Sequence, residues 1–331
     1  MATGNTFVRF LRCMARVRGD ALRACEMARN DYGNDSPVVG LLQKAIVTTG
    51  DLGGDAAYWA TVNTFLDGVR VFEVMARIDA ASPLHTVPVR TRVLSEDTEP
   101  VAVWTPEGAI KQASSAAFTQ ITIDPSKATG LIVVTNDLLK LTTGYAEGAL
   151  KTSLERSVSR ITSAAAFATS DVTGAPPSLL TNATEVTSTG NPRGDLTELL
   201  DAFQGDVERA VVVMSSSNAV FLSLQGGDIG GTDTLTVRGG TLAGMPCVAS
   251  SDVPDSVVAV IDPQRIAYGD DGVRIDTATH ADIDVDGGKV SLWQMNLTGF
   301  KAERYVSWQP ASDAVAYVSG VDWRGNGGGT T

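Results

Sequence analysis

The most regular pattern of apolar and polar positions lies between Phe118 and Ala168. Residues 118–123 alternate apolar with polar, as a strand does when one of its faces is buried. Residues 131–134 form a short apolar run rich in β-branched side chains, which favours a buried strand. The Asp-Pro-Ser-Lys segment over 124–127 separates the two runs and has the composition of a turn. The pattern therefore predicts two strands joined by a turn.

A long amphipathic helix is predicted directly after these strands. Thr135 and Asn136 can accept hydrogen bonds from the free N–H groups of a short helix over 137–141. A second helix, Tyr145 to Ala168, is about 36 Å long. Its apolar residues return every three or four positions and form one stripe: Leu150, Leu154, Val158, Ile161, Ala165 and Ala168. Polar residues occupy the other faces, where we expect water: Glu147, Lys151, Glu155 and Ser159.

The rest of the chain predicts a mixture of helices and strands, with an α/β block over residues 195–285. Before this block the patterns predict helices over 5–29, 38–47 and 56–66 and strands over 86–93 and 101–104. Within it they predict helices over 196–203 and 219–224 and strands over 210–214 and 257–261. After it they predict paired strands over 290–306 and a last strand over 314–318. The fold class expected from these elements is α+β.

Three short motifs, in this order, resemble the tailed-phage major capsid proteins of the HK97-like fold. The first is Trp104-Thr105-Pro106-Glu107-Gly108, followed by Lys111. The second combines the Pro-Ser-Lys turn, the Thr-Asn-Asp-Leu-Leu segment from Thr135 and the long helix. The third is the Leu-Ala-Gly-Met-Pro-Cys-Val segment that begins at Leu242. Their order and spacing extend the resemblance over about residues 50–320.

The resemblance implies an HK97-like capsid fold with a peripheral domain, in which a long spine helix lies on a β-sheet. It also implies an axial α/β domain, an extended β-hairpin loop and an N-terminal helical arm. The expected boundaries are 1–54 (N-terminal arm), 55–84 (peripheral domain, first part), 85–130 (extended loop), 131–194 (peripheral domain with the spine helix), 195–285 (axial domain), 286–310 (peripheral strands) and 311–331 (final axial strand and loose tail). A long two-stranded hairpin is marginally stable alone in water, and the resemblance implies that this one lies over an adjacent subunit.

Composition and charge limit the function classes. The chain has 331 residues, of which 43% are hydrophobic and 19% are charged, as in a globular protein. The net charge of −12 argues against a protein that coats nucleic acid. Residues 1–30 nevertheless carry a charge of +4, which leaves −16 for the remainder. No apolar run approaches the ~20 residues of a membrane span, and the N-terminus has no apolar signal-peptide core.

Two interpretations of the N-terminal helix stay open. Its arginines share one face: Arg9, Arg12, Arg16 and Arg23. In the first interpretation they are solvated on a helix that packs against a neighbouring surface. In the second they line the inner shell surface and contact nucleic acid or an internal scaffold. In one continuous helix, Cys13 and Cys25 are about 18 Å apart, too far for a disulfide.

The resemblance also implies inter-subunit contacts from two loops. The candidates are Trp104, Glu107 and Lys111 in the extended loop and Gly226, Gly227 and Gly230 in a glycine-rich loop. Some family members cross-link a lysine of the extended loop to an asparagine of a neighbouring subunit, and Lys111 and Asn296 occupy the matching places. That reaction needs a carboxylate that manages protons, which no motif identifies here, so we favour a solvated lysine.

No constellation of catalytic or metal-binding residues stands out. The Asp-Ile-Asp-Val-Asp-Gly segment from Asp282 begins like a calcium loop, but its twelfth position is Trp293 instead of a bidentate glutamate, so a hairpin is favoured. The glycines of 226–240 lack the Lys-Ser/Thr of a phosphate loop. His85 and His280 lie in no catalytic motif. We therefore expect neither enzymatic activity nor a cofactor.

The sequence thus predicts a major capsid protein that self-assembles into the icosahedral head shell of a tailed bacteriophage. Expected partners are further copies of the chain in pentamers and hexamers and the packaged double-stranded DNA, with portal, scaffold and decoration proteins as further candidates and no membrane. The expected location is the virion, after assembly in the bacterial host cytoplasm. Because the sequence begins at Met1, we expect any scaffold to be a separate chain. The alternatives are an encapsulin nanocompartment shell and, less favoured, a soluble α/β enzyme or binding module.

Overall fold

The computed structural model describes residues 9–10, 12–13, 16–17, 21–46, 56–98, 104–105, 107, 117–141, 144–225, 234–285 and 288–324. The chain divides into two compact units. The first contains Met1–Phe72, Lys127–Ile161 and Gly272–Tyr305. The second contains Glu73–Ser126, Thr162–Asp271 and Val306–Thr331. The chain therefore enters each unit three times.

The helices are α1 (Ala21–Tyr32), α2 (Pro37–Ile46), α3 (Ala56–Phe72), α4 (Val74–Ala81), α5 (Asn136–Leu141), α6 (Gly144–Ala166), α7 (Pro192–Ala202) and α8 (Ser216–Gln225). The strands are β1 (His85–Thr86), β2 (Arg92–Thr98), β3 (Ala117–Thr122), β4 (Ser126–Thr135), β5 (Thr184–Thr187), β6 (Val211–Ser215), β7 (Gly239–Leu242), β8 (Met245–Ser250), β9 (Val258–Ile261), β10 (Ile266–Ala278), β11 (Asp282–Val285), β12 (Gly288–Ser291), β13 (Leu297–Pro310) and β14 (Val315–Ser319).

The strands form larger sheets and hairpins with defined orders. One sheet has the order β1-β10-β13-β4, and a mixed six-stranded sheet has the order β5-β14-β9-β6-β8-β7. In the latter, β6 runs parallel to β8 and β14 runs parallel to β5, while β9 is antiparallel to β6 and β14. The pairs β2-β3 and β11-β12 are separate two-stranded sheets. These elements confirm the predicted α+β class.

In the first unit, the predicted long helix is present as α6, and it packs closely on β4. A methyl group added at Gly130 of β4 would lie 3.1 Å from both Leu154 Cδ1 and Val158 Cγ2 of α6. The glycine therefore lets the helix approach the strand at ordinary packing distance. Around this contact lies a buried cluster that draws on α3, β4, α6, β10 and β13: Phe65, Leu66, Val69, Val134, Leu154, Val158, Val273, Phe300 and Ala302.

The expectation that Glu155 and Ser159 face water on α6 is wrong. Both residues are buried, because α3 covers this part of the helix. The close approach occurs at Gly68, where any side chain would overlap the Glu155 carboxylate. The stripe pattern alone gave no sign of this second covered face, since Glu155 is polar and lies beside the predicted apolar stripe.

In the second unit, the centre of the six-stranded sheet is buried on both faces. Side chains of β6 alternate between two apolar clusters, with Val211 and Val213 in one and Val212 and Met214 in the other. The neighbouring β9 alternates in the same way. A strand covered on both faces reads as a continuous apolar run, which is why the sequence predicted this strand as buried.

Several local predictions are confirmed. Thr135 Oγ1 accepts a hydrogen bond from Leu138 N at the start of α5, and Ser215 Oγ accepts one from Asn218 N at the start of α8. The segment read as a hairpin pairs as β11 with β12, from Asp282 opposite Ser291 to Val285 opposite Gly288. The α7 helix begins earlier than predicted, at Pro192, because Asn191 caps it through Arg193 N and Gly194 N.

Two predicted elements are shorter than their patterns suggested. The strand expected over 86–93 is interrupted after β1, because Pro88 has no N–H to donate and Arg90 has a positive φ of 61°. The helix expected over 5–29 is not continuous either, since Val17 lies in a turn and α1 begins at Ala21. Cys13 and Cys25 are consequently buried in one cluster, and the straight-helix separation of about 18 Å does not apply.

Candidate assembly surfaces

The β2–β3 hairpin is the clearest candidate for an inter-subunit contact. The strands pair antiparallel from Arg92 opposite Thr122 to Thr98 opposite Ala117, with a register shift between Glu96 and Thr98. Among the described residues, no third strand joins this sheet. A two-stranded sheet is at best marginally stable by itself, so this hairpin needs a surface that covers it.

Trp104 is fully exposed on the segment between these two strands. Its relative exposure is 103%, the largest of any apolar side chain described. Thr105 and Glu107 beside it are exposed as well, whereas Lys111 lies outside the described residues. Tryptophan is enriched among the residues that dominate protein–protein binding energy, and it is seldom left fully exposed in a monomer. The structure thus places two of the three predicted loop residues on one exposed segment.

A second exposed apolar surface, which the sequence did not reveal, lies in the turn between β12 and β13 of the first unit. Trp293 and Met295 are 63% and 62% exposed. The turn is fixed to α5, because Asn136 N donates to the Asn296 carbonyl at 2.8 Å and Thr298 Oγ1 contacts Asn136 Oδ1 at 2.6 Å. We call residues 292–296 the peripheral turn. Its only sequence signal is the pair of large apolar residues beside a hairpin that is otherwise polar.

The glycine-rich loop is described only at its ends. Gly226, Gly227 and Gly230 lie outside the described residues. Leu224, in the last turn of α8, is 81% exposed, and Val237 after the loop is also exposed. The role of the three glycines at subunit contacts therefore stays a prediction.

The N-terminal arginines contact residues of their own helical region. The guanidinium groups of Arg9 and Arg12 lie 5.0 Å and 5.9 Å from the centre of the Tyr32 ring. Arg16 Nη1 is 3.4 Å from Asp31 Oδ2. Arg23 on α1 is exposed. These contacts give three of the four arginines an intramolecular role, and a contact with nucleic acid stays a prediction.

The strand that follows the peripheral turn carries a shielded carboxylate, Glu303. Its Oε1 is 3.0 Å from Lys301 Nζ and 3.2 Å from Lys127 Nζ. Hydrogen bonding to Lys301, and then to Lys127, lowers the pKa of Glu303 despite its burial. A carboxyl group held in its ionised form is a poor proton donor. The proton-managing carboxylate of a Lys111–Asn296 cross-link therefore stays unidentified, and that cross-link stays a prediction.

The described residues also bear on metal binding, membrane crossing and thiol reactivity. No cluster of three or more histidine, cysteine, aspartate or glutamate side chains able to hold a metal ion occurs in the part of the chain that the structure describes. No described helix is long and apolar enough to cross a membrane. Cys247 is buried, and its desolvation raises the pKa of its thiol to about 12, so it stays protonated and unreactive.

Solved structures with a similar arrangement show which fold the chain has. The chain resembles the capsid of a native GTA particle, with a TM-score of 0.55, 16% identity and coverage of 75% of this chain and 91% of that chain. It also resembles structures from Mycobacterium phage Adephagia (TM-score 0.53, 12% identity, 75% and 90% covered) and Gordonia phage Cozz (0.55, 13%, 75% and 86%). The fold is thus that of HK97-like capsid subunits, as the motifs predicted.

The sequence itself specifies the family. Residues 63–319 match the phage capsid family, and the chain belongs to this family. The capsid polyprotein of Pseudomonas phage PAJU2 is 26% identical over 366 residues, a match that covers 97% of this chain and 54% of that protein. The chain therefore spans about half the length of this curated relative. The family places the chain among structural proteins and favours a phage capsid over the encapsulin alternative.

Proposed function

We propose that this chain is a major capsid protein, many copies of which form the icosahedral shell that encloses the packaged double-stranded DNA of a tailed phage. The observation that carries the proposal is the β2–β3 hairpin, whose strands pair with each other and with no further strand described. Membership of the phage capsid family supports the same conclusion. The hairpin needs a surface that covers it, and in a capsid family the expected covering surface is a second copy of the chain.

The two exposed apolar surfaces form the two sides of that contact. We call the Trp104 segment the donor surface and the peripheral turn the acceptor surface. We place Trp104 of one copy on the peripheral turn of the next, against Trp293 and Met295. Both surfaces are largely exposed in the single chain, and thioether–aromatic contacts add about 0.3–1.5 kcal/mol to the area that they bury. Because the donor and acceptor surfaces differ, the contact is heterologous, and it generates closed rings when the rotation between copies closes.

The shell draws its stability from repetition. Hundreds of modest contacts in a closed shell hold each subunit far more firmly than one contact does. Rings of five and six require the same subunit to adapt, and we assign that adaptation to the extended loop and to the loop that contains Gly226, Gly227 and Gly230. The net charge of −12 keeps the wall from adhering to the DNA that must leave it. Portal, scaffold and decoration proteins remain candidate partners.

The first experiment tests whether the hairpin drives assembly. The full chain is expressed alone and studied by size-exclusion chromatography with light scattering and by negative-stain electron microscopy. We expect closed shells or five- and six-fold rings, loss of both with Trp104→Ala, and their retention with the aromatic control Trp104→Phe. A monodisperse monomer from the unmodified chain at high concentration contradicts the proposal, as does undiminished assembly of Trp104→Ala.

A second experiment tests the acceptor surface. Trp104→Cys and Met295→Cys are combined in one chain, and disulfides between subunits are measured after mild oxidation. The three natural cysteines are buried, so they compete little with the new pair. We expect covalent oligomers from assembled Trp104→Cys/Met295→Cys and none from the control pair Trp104→Cys/Val172→Cys. The control places the second thiol on an exposed loop of the second unit, away from the peripheral turn in sequence. Equal cross-linking of both pairs contradicts the proposed acceptor.

A further inference from the structure

Glu155 occupies a notch between α3 and α6 that exists because residue 68 is glycine. The Glu155 side chain is 6% exposed, although the group is ionisable and lies near the middle of α6. Any side chain at Gly68 would overlap its carboxylate oxygens. The carboxyl group therefore fills the place where α3 crosses α6, and the fit of the two helices depends on it.

Among the described residues, Lys151 is the cation that pairs with Glu155. Lys151 Nζ lies 3.1 Å from Glu155 Oε1 and reaches the carbonyl of Thr64 on α3 at 3.5 Å. The lysine precedes the glutamate by four residues, which is the less favourable order of such a pair on a helix. A buried ion pair seldom repays the loss of hydration of both ions. An ionised Glu155 thus carries a desolvation cost at the contact of α3 with α6. Protonation of the carboxyl removes that cost, while Lys151 keeps its charge, its contact with the Thr64 carbonyl and an exposed fraction of 12%.

Several other charged groups of the first unit have contacts of their own, away from Glu155. On α3, Asp67 and Arg70 are exposed and lie 3.8 Å from each other. On α6, Arg156 stacks on Phe72 at 4.9 Å from the ring centre. On β4, the residue that meets α6 is Gly130, and its neighbours there are Leu154, Ser157 and Val158. Of the charged residues in the adjoining segments, Arg9 and Arg12 lie over Tyr32, Lys127 and Lys301 contact Glu303, and Arg304 of β13 is fully buried.

We propose that Glu155 is a proton-binding site that makes the docking of α3 on α6 depend on pH, with the contact firmest when the carboxyl carries a proton. The geometry supports this directly. A neutral carboxyl occupies the notch without the desolvation cost of its own charge, whereas an ionised one has Lys151 as its counter-ion among the described residues. In an opened arrangement, water reaches both groups and the advantage of the neutral form is lost.

The sign of the dependence follows from proton linkage. Burial raises the pKa of Glu155 above its ordinary value of 4.5, and the attraction and hydrogen bond of Lys151 oppose this only in part. The docked arrangement therefore binds protons more tightly than the opened one. Docking is strongest below the ordinary pKa and is lost progressively as pH rises from there through the raised pKa, by up to about tenfold per pH unit within that window. Above the raised pKa the dependence ends.

The test compares hydrogen exchange of the full chain with that of Glu155→Gln from about pH 4, below the ordinary pKa, up to about pH 8. Glutamine has the shape of the protonated acid but takes up no proton. We expect α3 and α6 peptides of the unmodified chain to lose protection, relative to Glu155→Gln, as pH rises. Comparison at each pH cancels the intrinsic pH dependence of exchange, and light scattering verifies that both proteins are in the same assembly state. Parallel profiles for the two proteins overturn the proposal.

Two further variants keep the proposal testable if Glu155→Gln folds poorly. Lys151→Met retains the aliphatic stem but removes the cation, so the loss of protection should extend to higher pH. A profile with Lys151→Met that is unchanged or narrower overturns the proposal. Asp67→Asn removes an exposed carboxylate from α3 and should leave the profile as it is. The proposal concerns the first unit by itself, so it stands or fails independently of shell assembly.

Discussion

Two tryptophans of the second unit show what the chain covers by itself and what it leaves to a partner. Trp308 is 1% exposed, packs in an apolar cluster and donates a hydrogen bond from Nε1 to the Pro177 carbonyl at 2.8 Å. Trp104 is fully exposed on the extended loop. The same residue type thus serves folding at one position and, in our proposal, assembly at the other.

The strands that carry or adjoin the two tryptophans differ in how many neighbouring strands they pair with. Trp308 lies in β13, which has β10 and β4 as its neighbours in the four-stranded sheet. The β2 strand pairs only with β3 among the described strands. A structure that satisfies its own hydrogen bonds and buries its own side chains is stable alone, whereas a lone hairpin is not. Burial within one chain thus separates the folding core from the surface around Trp104 that we propose for assembly.

The largest expected effect on stability is that of Trp308→Ala. Loss of the indole leaves a cavity and an unpaired Pro177 carbonyl, and such truncations lower the free energy of unfolding by about 3–5 kcal/mol. Urea unfolding of unassembled subunits, followed by fluorescence or circular dichroism, measures it. A loss below about 1 kcal/mol contradicts the assignment of Trp308 to the folding core.

The next effect concerns a buried carboxylate of the second unit, Asp195. Its oxygens accept hydrogen bonds from Ser188 Oγ, from Thr189 and from Trp323 Nε1. Burial alone raises the pKa of Asp195, but these hydrogen bonds outweigh it and lower the pKa below the ordinary 3.8. The resulting stability is present above the unfolded pKa and is lost as pH falls from there through the folded pKa.

Asp195→Asn should therefore lower stability at neutral pH by about 1–3 kcal/mol and flatten the acid side of the stability curve. Unfolding measured from neutral pH down to about pH 2 checks both effects. Asp201→Asn, which changes an exposed carboxylate of the same helix, serves as the control. An acid limb that is as steep in Asp195→Asn as in the unmodified chain shows that other groups govern it.

Trp104→Ala should change the free energy of unfolding of the unassembled subunit by no more than about 0.5 kcal/mol, because the indole contacts solvent there. This is the direct counterpart of Trp308→Ala, measured by the same urea titration. Together with the assembly experiment it separates the two roles of tryptophan. Destabilisation of the subunit on the scale of Trp308→Ala means that the extended loop folds back on its own chain.

The smallest expected effect distinguishes two arginines of the N-terminal region. Arg16 and Arg23 are both exposed, and Arg16 Nη1 lies 3.4 Å from Asp31 Oδ2. If Arg23 contacts packaged DNA, Arg23→Ala lowers the slope of log affinity against log salt by about one, and Arg16→Ala leaves it unchanged. Fluorescence anisotropy with duplex DNA over a range of salt measures both slopes. Equal slopes for Arg23→Ala and the unmodified chain argue for the solvated role of this face.

The elements that the sequence predicted well have short-range causes. The alternation of 118–123 and the spacing of Leu150, Leu154, Val158 and Ala165 contain their own period, and the β6 run is continuously apolar. The other two residues of the predicted α6 stripe do not fit it, because Ile161 is exposed and Ala168 lies beyond the end of α6. The motifs around Trp104, Thr135 and Leu242 then identified the family, which the match over residues 63–319 confirms.

The features that were missed depend on partners distant in the chain. Glu155 is buried because Gly68 gives it space, and Asp195 is buried beside Trp323, 128 residues later. The sequence pattern around Glu155 or Asp195 does not indicate the distant residue that covers it. The short β5 strand was also missed, because its Thr-Glu-Val-Thr sequence is polar and pairs as a parallel edge strand with β14. The exposure of the peripheral turn likewise follows from its attachment to Asn136.

The position of β14 has a consequence for synthesis on the ribosome. This last described strand lies between β5 and β9, so it is an interior strand of its sheet. Until β14 has left the exit tunnel of the ribosome, β5 and β9 lack the neighbour that joins them. Contacts between segments this far apart form slowly, and strand edges that wait for a partner are prone to mispairing. A nascent chain therefore completes the six-stranded sheet of its second unit only after β14 has emerged.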